Sequence, residues 1–132
     1  MLKLEIASGK HGRVILMDSI TKVVDEDKNA IVVSASHGGA SSGEFALQIP
    51  LAAVFFNDAG VGKDQAGIAA LGMLELRAIP AATVAHTSAR IGDVRDMWDN
   101  GIISYVNDSA LKSGLRPGLK LQDALMGRIE AG

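Results

Sequence analysis

The chain contains no cysteine. That excludes disulfides, thiolate catalysis and cysteine-ligated metals. Aromatic residues make up only 4% of it. The core therefore has to be built from Ala, Val, Ile and Leu, and little is left for stacking on nucleic-acid bases. No apolar run approaches the roughly 18 residues that a membrane-spanning helix needs. Lys3, Glu5 and Lys10 break up the apolar content near the amino terminus, which is not the layout of a secretory signal peptide. The formal net charge is only -2 and the basic residues are scattered, so there is no broad attraction for a polyanion. These absences predict a cytoplasmic protein that binds neither nucleic acid nor a membrane. Sequence signatures are also missing: there is no GxGxxG after an apolar run, no HExxH and no EF-hand loop. No cofactor is therefore identified and no metal site is assigned, although His37, Asp58, Asp64, His86 and Asp93 offer ligands for a divalent ion if their loops converge.

What is present points to one domain over residues 1–132. That length carries a real core but hardly two, and a hydrophobic content of 48% argues against disorder. Leu2 to Ala7 alternates apolar and charged residues, as a half-exposed strand does. Ser8 to Gly12 reads as a turn, and the next strand stops near Asp18. Asp18 or Ser19 suits the cap of a short helix running on through Asp27. Three strongly apolar runs follow, Ile31–Ser36, Ala52–Phe56 and Ala82–His86, and a fourth begins at Gly101.

Helical signals lie between these runs. Ser41 or Ser42 suits the cap of one or two turns ending before Pro50. Ile68, Leu71 and Leu74 recur at helical spacing, predicting a helix over about residues 64–77 with Asp64 as its cap. Gly92 or Asp93 suits the start of a third helix, and Asp108 the start of a fourth. Leu121, Leu125 and Ile129 mark a terminal helix. The alternation predicts an α/β fold: a compact sandwich with a mainly parallel or mixed central sheet and helices on its faces.

Three of the apolar runs end in loops dense in reactive and glycine residues. If their strands are parallel neighbours, the loops meet at one sheet edge, where open α/β folds place ligands. The first loop holds Ser36, His37, Gly38 and Gly39. His37 is suited to proton transfer, and the glycines can bring backbone amides close to an anion. The plainer reading is a strand-ending turn.

The second loop holds Asn57, Asp58, Gly60, Gly62, Lys63 and Asp64. Asp58 suits a base or a partner that orients His37, and Asn57 can bond a ligand as donor and acceptor. The string GVGK resembles the end of a phosphate-binding loop only superficially. The pattern needs Gly where Asn57 stands and Ser or Thr where Asp64 stands, so an ordinary ATPase or GTPase is rejected.

The third loop holds His86, Ser88, Arg90 and Asp93. Arg90 is the best anion anchor, since its guanidinium grips carboxylate or phosphate through two donors. Its plainer role is a pair with Asp93. Ser88 is a candidate nucleophile, without the GxSxG turn that would make it specific. Asn107, at the end of the fourth run, can complete the pocket or start the next turn.

The expected function is that of a small-molecule enzyme, a hydrolase or lyase acting on a compact anionic metabolite. His37, Asp58 and Ser88 form the expected catalytic set. Ser36, Gly38, Gly39, Asn57, Gly60, Gly62, His86, Arg90 and Asn107 form the expected substrate-binding set. The alternative is a non-catalytic metabolite-binding or regulatory protein. A chain of this size, rich in small apolar residues, is expected to form a homo-oligomer.

Overall fold

The computed structural model describes residues 2–130. Six strands form one sheet in the order of the sequence: β1 (Lys3–Gly9), β2 (Gly12–Met17), β3 (Ile31–His37), β4 (Ala53–Asn57), β5 (Ala81–Val84) and β6 (Ile103–Val106). β2 to β5 run parallel. β1 and β6 pair antiparallel along the two sides. Helices α1 (Ala40–Ala46), α2 (Ala69–Glu75), α3 (Val94–Asn100), α4 (Asp108–Lys112) and α5 (Leu121–Glu130) flank the sheet. The molecule is an α/β domain with a mixed, mainly parallel sheet.

Both sheet faces are covered, which is why the strands read as nearly continuous apolar runs rather than alternating ones. On one face Val14, Leu16, Ile31, Val33, Phe55 and Val84 pack beneath Met97 and Trp98 of α3 and Leu121, Leu125 and Ile129 of α5. On the other, Ile15, Met17, Val32, Val54 and Phe56 meet Ile20, Ala46, Leu71 and Leu74. The second set draws on all three connections between parallel strands, so those connections share one face. The strand order consequently never reverses, and the sheet lacks the switch-point crevice of doubly wound folds.

Several helix starts differ from the expected ones. Ser19 caps a single 3-10 turn at Ile20–Lys22 by accepting from the Thr21 N–H. Gly39, not a serine, stands before α1, and Ser42 Oγ instead donates to the His37 carbonyl at 2.7 Å. The helix expected from residue 64 begins at Ala69. Lys63–Ile68 form a 3-10 segment in which Asp64 and Gln65 have φ of 56° and 58°, so Asp64 does not cap. The segment folds back closely on the end of β4: a Cβ on Gly67 would strike the Asp58 carbonyl and lie 2.9 Å from Val61 Cα. The apolar period was a true signal of the buried face, which itself starts only at Ile68. Asn107, not Asp108, caps α4.

Candidate functional site at the carboxyl ends of the parallel strands

Because β3, β4 and β5 are adjacent and parallel, the loops that follow them do emerge at one edge. Residues 85–93 then cross that edge as a strap. The strap leaves β5, passes over β4, where Asn57 Nδ2 donates to the Ala89 carbonyl at 2.9 Å, and reaches β3, where the Gly92 N–H donates to the Ala35 carbonyl at 2.9 Å. Asp18, at the end of β2, accepts from the Val94 N–H at 3.2 Å. Asp96 accepts from the Arg90 N–H at 2.9 Å. That bond, with a second from the Asn100 side-chain amide, holds the Asp96 carboxyl below the usual carboxylate range.

The most organised reactive group is a pair formed by Asp58 and His86. Asp58 is buried, and its Oδ1 accepts from the Gly60 N–H at 2.8 Å and the His86 N–H at 3.1 Å. His86 Nδ1 lies 3.2 Å from the same oxygen. Burial pushes the Asp58 carboxyl up, but the Gly60 N–H, the Ser104 hydroxyl, the His86 N–H and the His86 ring together outweigh it and hold the group below its ordinary value. An ionised carboxylate only accepts, so Nδ1 of His86 carries the proton and donates. The ring lies over Gly60, where a Cβ would be 3.5–3.7 Å from its atoms, and its side chain is 53% exposed.

This geometry changes the expected partnership. Asp58 orients His86 rather than His37. The His37 ring instead folds over Gly39, so closely that a Cβ on that glycine would collide with it. The backbone amides are also committed. The Gly38 N–H donates to the Asn57 carbonyl at 3.0 Å, and the Gly62 N–H to the Gly60 carbonyl at 2.8 Å. With the Gly60 N–H spent on Asp58, these three do not converge on an open anion site. Gly38 serves packing: a Cβ there would stand 2.5 Å from the Gly67 carbonyl oxygen.

Ser88 is occupied as well. Its Oγ donates to the Ala85 carbonyl at 2.7 Å and accepts from the Ile102 N–H at 3.0 Å, which shapes the start of the strap and directs the hydroxyl proton to the backbone rather than to His86. Asn57 is fully buried, and its Oδ1 accepts from the Ala59 N–H at 2.8 Å. Arg90 is exposed on the strap, and Asp93 caps α3 by accepting from Asp96 N–H at 3.0 Å. Asn107 is at the wrong edge. β6 runs antiparallel, so its end lies beside the start of β5, where Asn107 Oδ1 accepts from Ala81 N–H at 3.1 Å and Nδ2 donates to Ile79 at 2.9 Å.

A cleft of about 360 Å³ opens at the same edge between the ends of β2 and β3, the Ile20–Lys22 turn, α1 and the strap. Ser36 and His37 line it, as does Asp18, which the sequence suggested only as a cap. Asp18 ends its strand in a polar residue just as Asn57 ends β4, and that parallel was the available signal. Ser104 had none, because its contribution to Asp58 depends on the antiparallel placement of β6 against Thr83. Among the described residues, no three or more His, Asp or Glu side chains gather to hold a metal ion, and no helix is long and apolar enough to cross a membrane. Comparison with family models, with curated proteins and with solved structures finds no match.

Proposed function

We propose that the protein is a small-molecule enzyme of the hydrolase or lyase type, acting on a compact anionic metabolite, with His86 as its proton-transfer group. The carrying observation is the Asp58–His86 pair: a buried carboxylate accepts from Nδ1 of an exposed imidazole. Asp58 fixes the tautomer, leaving Nε2 to take a proton from water or substrate and return it to a leaving group. The developing imidazolium is stabilised by the adjacent negative charge. Arg90, on the strap that begins beside His86, supplies the cation for a substrate carboxylate or phosphate.

The engagement of Ser88 favours a second reading. With Ser88 held by the backbone, the edge binds a metabolite without bond chemistry in this reading, and the protein is a regulatory homo-oligomer. Both readings are tested by a pooled-metabolite screen for binding and turnover, using wild type, His86→Gln, His37→Ala and Arg90→Ala. Turnover lost by His86→Gln with binding retained supports the enzyme. Binding with no turnover in any protein supports the regulator. Arg90→Ala is expected to weaken an anionic ligand by about tenfold or more, and unchanged affinity removes Arg90 from the site.

A further inference from the structure

We propose that the cleft between the Ile20–Lys22 turn, α1 and the strap binds a small primary amine with an apolar tail, its ammonium group held by Asp18. The proposal does not use Asp58, His86 or Arg90, the residues given roles in the proposed chemistry. The volume, about 360 Å³, is at the small end of ligand pockets.

Charge decides the ligand class. Among the described residues the cleft is lined by one carboxylate, Asp18, by the imidazole of His37, and by no Lys or Arg. Lys22 and Arg90 adjoin lining residues in the sequence, but neither lines the cleft. With a neutral imidazole at His37, an anion here would face Asp18 without a compensating cation, an expensive arrangement in a partly desolvated site. A cation would be paired.

Asp18 also retains capacity to accept. Its Oδ2 takes the Leu2 N–H at 2.8 Å and its Oδ1 the Val94 N–H at 3.2 Å, leaving further lone-pair sites on a carboxylate that offers about four. These two bonds fix the carboxylate before a ligand arrives, which reduces the ordering cost of binding. Ser36, whose Oγ already accepts from the Ile20 N–H at 3.0 Å and keeps one lone pair, and Ser41 also line the cleft. Phe45 and Ile91 form the apolar wall, and Ile91 is 52% exposed, so a short alkyl chain would cover surface now open to water.

The test is a titration of full-length protein with hexylamine, hexanamide and hexanoate, followed by amide chemical shifts. These probes share an apolar chain and differ in head-group charge. Hexylamine is expected to give saturable shifts around Thr21, Ser36 and Gly92, with affinity about tenfold or more above hexanamide; hexanoate should bind more weakly still. Asp18→Asn should bring hexylamine to within about twofold of hexanamide, while Ile91→Ala should weaken both. Hexanamide or hexanoate equalling hexylamine on wild type overturns the proposal, as does an absence of saturable shifts. The wild-type series decides the matter even if Asp18→Asn fails to fold, because that carboxylate also bonds two backbone amides. His86→Gln should leave hexylamine binding unchanged, so failure of this site and failure of the proposed chemistry are distinguishable.

Discussion

At the scale of single residues, the difference between Asp58 and Ser88 is a difference in what their bonds leave free. Asp58 uses four donors, the Gly60 and His86 N–H groups, the Ser104 hydroxyl and the His86 ring, to hold a charge and to aim His86 outward, whereas Ser88 spends its one donor and one of its lone pairs on backbone. Asp58→Asn should therefore reduce any turnover strongly, because the amide no longer selects the Nδ1-protonated ring. Ser88→Ala should retain turnover and lose about 1–3 kcal/mol of stability, since the Ile102 N–H loses its acceptor. Parallel kinetics and denaturant unfolding separate the two effects. Asp58 also makes a signed pH prediction. Its folded-state carboxyl lies below the ordinary value of 3.8. Its contribution to stability is thus present above the unfolded-state pKa and disappears as pH falls through the lower folded-state value. Acid unfolding followed by circular dichroism should show this loss below about pH 4, and Asp58→Asn should remove that part of the slope. A variant whose acid profile matched wild type would mean that Asp58 carries no linked proton.

At the scale of elements, the segment joining β4 to α2 is the most constrained part of the edge. Ala59 and Val61 have φ of 51° and 67°, in a region that costs a non-glycine residue on the order of 1–2 kcal/mol. They are held there by short connections: the Val61 N–H donates to the Asp58 carbonyl, and the Gly67 N–H to the Val61 carbonyl, each at 2.7 Å. The segment thereby folds back on itself beneath the Asp58–His86 pair. A helix beginning at residue 64, as the apolar spacing predicts, would break that return. Gly67→Ala should consequently move the whole segment rather than relax locally, since its Cβ meets backbone atoms that cannot rotate away. The expected result is destabilisation by about 2 kcal/mol or more, with amide shifts spread over residues 58–67 and the His86 ring released. Shifts confined to Gly67 and its neighbours would show that the segment is not a single unit.

At the scale of the whole molecule, the strands were legible because burial on both faces writes itself as uninterrupted apolar residues, and the meeting of three loops followed from their parallel order. What was not legible depended on direction and partner choice. The ending Val106–Asn107 looks like Phe56–Asn57, yet antiparallel pairing sends it to the opposite edge. His37 and His86 look equally placed to meet Asp58, and only the turn at Gly60 with the path of the strap selects His86. The two asparagines thus test the architecture from opposite ends. Asn57 ties the strap to β4, whereas Asn107, 8% exposed, joins β5, β6, α2 and α4. Its Oδ1 accepts from Ala81 and Ala110, and its Nδ2 donates to Leu71 and Ile79. Asn107→Ala leaves two N–H donors and two carbonyls without this partner, and should cost about 3 kcal/mol or more, a fall in Tm on the order of 10 °C. Its residual folded population should bind and turn over ligand as wild type does, because none of its contacts reaches the strap. Asn57→Ala should show the opposite balance, with loss of binding or turnover exceeding what its stability explains. Equal functional loss in both variants, measured below their unfolding transitions, would mean that the two sheet edges are coupled through the core rather than independent.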